Sequence, residues 1–364
     1  MVSENGFYTI VPAALTYLYK EGRTGHWVDA RTTAYVLDSL IVTGESLQSK
    51  NVEFATAFLL SSFRPEQIGG SWGSEIWDTA LVLRTLSQVP VPQEDFHRKA
   101  LDWIASKQLD DGSFDGEPWD SLYVALALLK HPNLAGSNRI LNWLLTVQSD
   151  DGSFISNHYT GLFCQVMAGY LDSELLDTET QYRVRDAATL ALGHLWNSFD
   201  KKSLWGGSAW TNAFVVKGIA ELRNSRLVLE SDHVFDWYRR HQSGTGAWDD
   251  PVRTAISVEA LWKLQLFREL DRCRNESLQT LTAEFFSKST ESELTRQVSI
   301  RTIKAPVITT KKLLDRDENG NRVITLTPDR EKLFGIIFAA VSAASSAIYG
   351  LVTKWPQIKA FLTK

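Results

Sequence analysis

Aromatic residues recur along this chain at a nearly constant interval, each in a glycine-containing turn. They are Trp27, Trp72, Phe114, Phe154, Trp205 and Trp248, spaced by 45, 42, 40, 51 and 43 residues. A period of that size holds two helices and two connections. Between the landmarks the apolar residues fall at i, i+3 and i+4, as in WDTALVLRTL (77–86) and WDSLYVALALL (119–129). These runs are apolar nearly all round, the pattern of helices buried on both sides. The alternating segments FHRKALDWIASKQ (96–108) and GSNRILNWLLTVQ (136–148) are amphipathic and are predicted to lie outside them. The expected unit is a helical hairpin, repeated in tandem.

The turn repeats as well. KALDWIASKQLDDGSF (99–114) and RILNWLLTVQSDDGSF (139–154) share a basic residue, Trp, Gln, Gly and Phe at fixed spacing. DWYRRHQSGTGAW keeps Trp237, Gln242, Gly246 and Trp248 at the same intervals. Gly112, Gly152 and Gly246 suit the positive φ that ends a helix, and the neighbouring Asp and Ser favour turns. Asp110 and Asp111 are thereby read as turn residues rather than as part of an acid cluster with Asp115, Glu117 and Asp120. Over residues 7–270 this arrangement resembles the QW repeat of the terpenoid cyclase and protein prenyltransferase superfamily. The resemblance implies an all-α fold, an (α/α)6 toroid with six inner helices around a central cavity and six outer helices. The period alone predicts the hairpins; ring closure is what the resemblance implies.

Two columns follow each landmark. Six positions on stand Thr33, Asp78, Asp120, Thr160, Thr211 and Thr254. Asp and Thr immediately before an apolar run are expected N-caps, accepting from the exposed N–H groups of the first turn. Five positions on stand Thr32, Trp77, Trp119, Tyr159, Trp210 and Arg253. The resemblance puts these helix starts at the cavity mouth. Trp77, Trp119, Tyr159 and Trp210, with Arg253 and the adjacent His158, are the expected ligand-binding residues, suited to an apolar ligand or a cation.

The resemblance also allows tests for the family's chemistry. Class II terpene cyclases place their protonating acid at the middle acidic position of a DxDD-T-A motif. Here the matching stretch is EIWDTA (75–80), with Trp77 at that position, and EPWDSL (117–122) repeats the substitution. An indole cannot deliver the proton. Glu75 and Glu117 remain as weak catalytic candidates. Protein prenyltransferases bind zinc through an Asp, a Cys two residues later and a distant His. Leu162 precedes Cys164 at that spacing, and none of the seven histidines shows metal-ligand spacing. No metal and no cofactor are expected.

After about residue 270 the pattern changes. A polar helical stretch (271–296) leads into short β-type runs, and Asn319-Gly320 within DENGN favours a hairpin. Leu333–Thr353 then carries no charge over 21 residues between Lys332 and Lys354, long enough for a bilayer-spanning helix. Small residues recur along it, Gly335, Ala339 and Ala343 on one face and Ser342, Ser346 and Gly350 on the next, a ladder that lets membrane helices associate. The expected organisation is therefore a toroid (1–270), a polar helix plus β-hairpin adaptor (271–330), a single membrane helix (331–354) and a basic tail (355–364). No secretory signal opens the chain, so the toroid is expected in the cytosol. A net charge of −5 argues against nucleic acid as a partner. The expected partners are the bilayer, a hydrophobic or small-molecule ligand, and a second copy through the C-terminal helix. Three functions fit: a membrane-anchored toroid that binds a ligand and acts as a regulated, oligomerising, pore-forming effector; a divergent cyclase or prenyltransferase-type enzyme on an isoprenoid lipid; or a protein-interaction scaffold.

Overall fold

The computed structural model describes residues 5–22, 26–65, 70–90, 94–131, 137–173, 175–290, 315–316 and 322–323. The chain divides into two compact units, Met1–Glu269 and Leu270–Lys364. The first is all-helical. Its odd-numbered helices are α1 (Asn5–Glu21), α3 (Lys50–Ser61), α5 (Glu94–Ala105), α7 (Ser137–Val147), α9 (Thr178–Asn197) and α11 (Arg226–His241). The even-numbered ones are α2 (Ala30–Val42), α4 (Ile76–Leu86), α6 (Pro118–Leu128), α8 (Asn157–Leu171), α10 (Ala209–Glu221) and α12 (Pro251–Thr290). The predicted alternation holds. In α6 every residue from Asp120 to Leu128 is buried, whereas α9 buries only Val184, Ala187, Ala188, Ala191, Leu195 and Trp196. The longest interval between landmarks, 51 residues, is taken up by α8 and α9, which are 15 and 20 residues long.

Successive even-numbered helices pack on one another, α2 on α4, α4 on α6, α6 on α8 and α8 on α10. The closest approach is between α8 and α10, where a Cβ on Gly218 would lie 2.3 Å from the Gly161 carbonyl oxygen. No larger side chain fits there without moving a helix.

One hydrogen bond recurs in all six repeats. The landmark backbone N–H donates to a fully buried side-chain oxygen at the start of the following even-numbered helix. The pairs are Trp27–Thr33 (3.1 Å), Trp72–Thr79 (3.0 Å), Phe114–Ser121 (3.0 Å), Phe154–Thr160 (3.0 Å), Trp205–Asn212 (3.0 Å) and Trp248–Thr254 (2.9 Å). Four landmark indoles also donate Nε1–H to the end of the preceding helix: Trp27 to Leu18, Trp72 to Leu59, Trp205 to Leu195 and Trp248 to Tyr238. Each such bond contributes about 1 kcal/mol, on top of about 2–3 kcal/mol from burying the ring.

The QW turns dock by a constant rule. The turn after α5 binds α7, through Arg139 donating to the Leu109 and Asp110 carbonyls. The turn after α7 binds α9, through Gln148 Nε2 donating to Ala187 O (3.0 Å). The turn after α11 binds α1, through Gln242 Nε2 donating to Ile10 O (2.8 Å).

Beyond Glu269, α12 runs on to Thr290 as a helix, in keeping with the polar helical stretch expected there. β1 (Asp315–Arg316) pairs antiparallel with β2 (Arg322–Val323), flanking the DENGN segment. Among the described residues no helix is long and apolar enough to cross a membrane. The expected membrane helix, with Gly335, Ala339, Ala343, Ser342, Ser346 and Gly350, lies outside the described residues, as does the basic tail.

Candidate ligand-binding site at the starts of the even-numbered helices

The recurring landmark bond sets the true register of the repeats. Its acceptor lies six residues on at Thr33, Thr160 and Thr254, but seven on at Thr79, Ser121 and Asn212. The second, third and fifth repeats therefore carry one extra turn residue, and the two sequence columns are each out of register by one there. In the corrected register Trp77, Trp119 and Trp210 are equivalent to Arg31 and His158, while Asp78 and Asp120 are equivalent to Tyr159 and Arg253.

The sequence columns predict Asp78 and Asp120 as N-caps, together with Thr33, Thr160, Thr211 and Thr254; all six instead lie inside the first turn of their helices, which begin earlier than the column. Glu75 and Glu117 occupy the N-cap positions of α4 and α6, and neither makes a side-chain capping bond. Asp78 instead accepts two hydrogen bonds from Arg31, from Nε at 2.6 Å and Nη2 at 2.9 Å. Asp120 reaches across to the neighbouring repeat and accepts from the Trp77 backbone N–H at 2.9 Å. It caps α4 from α6.

The predicted aromatic residues do come together. Trp77 meets Trp119 edge to face at 6.0 Å between ring centroids. Trp119 is the hub, lying 5.1 Å from Tyr159, 5.7 Å from His158 and 5.9 Å from Trp210, with which it is stacked. All five rings are half-buried, so the cluster keeps a surface to solvent. Arg253 does not join it: it forms ion pairs with Asp250 (2.6 Å) and Asp249 (3.9 Å) and has no ring contact among the described residues. Glu75 and Glu117 are exposed at the rim of the cluster.

Several residues of the site carry no mark in the sequence columns. Phe214 and Tyr123 pack beneath Trp119, at 5.4 and 5.1 Å. The Arg31 guanidinium lies 4.2 Å above the Trp77 ring. Below the aromatic layer Tyr35 of α2 is hydrogen-bonded hydroxyl to hydroxyl with Tyr123 of α6, and its ring also meets Trp210 of α10 at 6.3 Å. These three helices are not successive, so their side chains meet in the space the even-numbered helices share.

Farther along the same helices lies a buried charge network. Asp38 pairs with Arg84 and accepts from Gln88 Nε2 at 2.7 Å. Lys217 pairs with Glu259 at 2.6 Å; Lys263 bonds Glu221 and lies 3.3 Å from Glu259. The signal for it was a lone charge inside an apolar run, Asp38 in YVLDSLIV and Lys217 in AFVVKGIAEL.

Electrostatics distinguish the two ends. Burial pushes the Asp120 carboxyl up to about 6 against the Trp77 N–H, and nearby Glu75, Asp115 and Glu117 add to the rise. Burial raises Asp78 also, with the Arg31 bonds opposing it. Burial lowers His158, which is therefore neutral at pH 7. In the network, burial would raise Glu259, but Lys217, Lys263 and Arg84 overcome it and hold the carboxyl well below the usual range. Among the described residues no three His, Cys, Asp or Glu side chains are grouped to hold a metal ion. Cys164 is buried and its thiol is pushed up by burial, so it packs as a small apolar residue rather than as a nucleophile.

Compared with models of protein families and with curated proteins, the chain matches none.

Proposed function

We propose that this protein is a membrane-anchored ligand-binding module: an (α/α)6 toroid that takes an apolar or small-molecule ligand at its aromatic end, tethered by the segment Leu333–Thr353. The observation that carries the binding reading is the cluster of five half-buried rings, Trp77, Trp119, His158, Tyr159 and Trp210, drawn from α4, α6, α8 and α10 to one place. Half-buried indoles present a large, stiff, apolar face with little entropy left to lose on binding. The toroid reading is supported by the docking rule of the turns. Three turns, those after α5, α7 and α11, bind the next odd-numbered helix, and for the last of them that helix is α1, as hairpins in a ring would require. The meeting of Tyr35, Tyr123 and Trp210 from non-successive helices fits a ring whose axis is filled by its own side chains below the mouth. The small-residue ladder of the C-terminal segment supports assembly in the bilayer, and with it the role of a regulated, oligomerising effector.

One observation favours an enzyme as the second reading. Asp120 is a carboxylic acid with a pKa raised to about 6, beside the ring cluster. That suits general acid–base work near neutrality, although it is far too weak an acid to protonate an unactivated alkene.

Native mass spectrometry of the full-length protein separates the two. The binding module carries a stoichiometric small molecule that Trp119→Ala loses while keeping its helical signal. Turnover of a polyprenyl substrate, abolished by Asp120→Asn, Glu75→Gln or Glu117→Gln, would overturn the binding reading.

A further inference from the structure

Resting on that binding reading, we infer that the ligand of the aromatic end is an organic cation, a substituted or quaternary ammonium carried on an apolar body. It is held over the Trp119, Tyr159 and Trp210 rings by the carboxylates of Glu117 and Asp120.

The fold contains its own precedent. In the second repeat, EIWD, the Trp77 ring and the Asp78 carboxylate together hold a guanidinium: Arg31 lies 4.2 Å above the ring and makes two hydrogen bonds to the acid. Ring face and carboxylate act jointly on one cation, as the quadrupole of an indole and a nearby negative charge should. The third repeat, EPWD, presents the same pair, Trp119 and Asp120, on the next even-numbered helix. In the register set by the landmark bonds, the residue equivalent to Arg31 for this second pair is Trp77 itself. The chain thus supplies a cation to the first pair and an indole to the second. Among the described residues no Lys or Arg stands over Trp119; the other cation–ring contacts, Lys107 on Trp103 and Arg226 on Trp196, lie on odd-numbered helices and their connections.

Charge decides which ligand the second pair suits. Glu75, Asp78, Asp115, Glu117 and Asp120 crowd this end, and the mutual effect is visible in Asp120, which Glu75, Asp115 and Glu117 all push up. Arg31 answers Asp78. The helix starts of α4, α6, α8 and α10 offer about half a positive charge each. His158, lowered by burial, adds none. The balance is negative by about two charges around a face of rings, so an anion is repelled and a cation drawn in. Glu117 is exposed and its carboxylate has no hydrogen-bond or ion-pair partner among the described residues. Burial raises the Tyr159 phenol, and the charges of Glu117 and Asp120 add to the rise.

The test uses the full-length protein and three probes of one shape: benzyltrimethylammonium, its neutral isostere neopentylbenzene, and benzenesulfonate as the anion. Binding is read by tryptophan quenching at pH 7.5. The ammonium is expected to bind saturably, at least tenfold tighter than the neutral isostere, with benzenesulfonate weaker still. Glu117→Gln, an exposed change that breaks no bond, is expected to weaken the ammonium three- to tenfold and leave the neutral probe unchanged. Asp120→Asn, which keeps an oxygen for the Trp77 N–H, is expected to do the same. Equal affinity for the neutral probe, or an ammonium affinity indifferent to both substitutions, would overturn the cation assignment and leave the apolar-ligand reading standing. Failure of all three probes to bind overturns both.

Discussion

Lys217 and Glu259 are 4% and 6% exposed and face each other at 2.6 Å on α10 and α12. Neither charge gains stability simply from being buried, because desolvation of each ion costs several kcal/mol. What the pair does is make its own dissolution expensive. Lys217→Met takes from Glu259 its direct hydrogen-bonding cation, leaving Lys263 and the charge of Arg84, and is expected to destabilise the first unit by about 3 kcal/mol. The double change Lys217→Met with Glu259→Gln is expected to recover much of that loss, and chemical denaturation of the two variants checks it. Glu259 is held below the usual carboxylate range, so its contribution is complete above the unfolded pKa of about 4.3 and is lost as pH falls. Asp120 has the opposite sign. Its folded pKa of about 6 exceeds the unfolded value, so its contribution is present below about pH 4 and disappears as pH rises through 6. Asp120→Asn is thus expected to stabilise the protein at pH 7.5 and to flatten the fall in melting temperature between pH 4 and 6. The full shift corresponds to about 3 kcal/mol, and solvent beside the turn reduces it to about 1 kcal/mol. An unchanged pH profile would show that Asp120 titrates normally.

The helical hairpin was legible in the sequence, because its two helices differ in the one property that periodicity reads, how much of the circumference is apolar. The glycine-containing turn was legible because its residues each do a separate job. At Gly152 φ is +84°, and a Cβ would sit 2.2 Å from the Leu190 carbonyl oxygen of α9. Gly152→Ala is expected to cost well over about 1 kcal/mol, more than a surface helix change, since it meets both a left-handed backbone and a neighbouring helix. A thermal melt reads the difference. What could not be read was the register after the turn. Three repeats insert one residue, and glycines of positive φ mark those turns, Gly73, Gly116 and Gly206. That single residue brings Trp77, Trp119 and Trp210 into line with His158 rather than with Tyr159. The N-cap expectation fails separately, because every even-numbered helix begins before the column that predicts its cap. Counting from the landmark picked out rings that do meet one another and misplaced their equivalents, because a fixed count assumes a fixed turn. Arg253 was lost for another reason: two aspartates on its own turn, Asp249 and Asp250, satisfy it locally. The Tyr35–Tyr123 contact was beyond sequence reasoning altogether, since residues 88 apart in the chain carry no pattern that pairs them.

For the whole molecule, the proposed anchoring role rests on the physical chemistry of Leu333–Thr353. As a helix those 21 residues reach about 32 Å, enough for a hydrocarbon core of about 30 Å. The segment is only moderately apolar, with three serines and many alanines, so its insertion has little free energy in reserve. One charge near its centre should therefore suffice to expel it: Ala343→Arg costs about 2.5–3.5 kcal/mol at mid-bilayer. The full-length protein is expected to float with liposomes through a sucrose gradient, and the Ala343→Arg variant to stay at the bottom. Association is a separate property of the same segment. Gly335→Leu and Gly350→Leu add apolar bulk, so they should leave flotation intact while blocking the close approach that small-xxx-small ladders permit. Cross-linking in liposomes is expected to show oligomers for the natural sequence and mainly monomers for the double leucine variant. Flotation of Ala343→Arg equal to that of the natural chain would mean that the protein meets the bilayer by some other surface. Undiminished cross-linking of the leucine variant would place self-association elsewhere in the chain and remove the ladder from the effector reading.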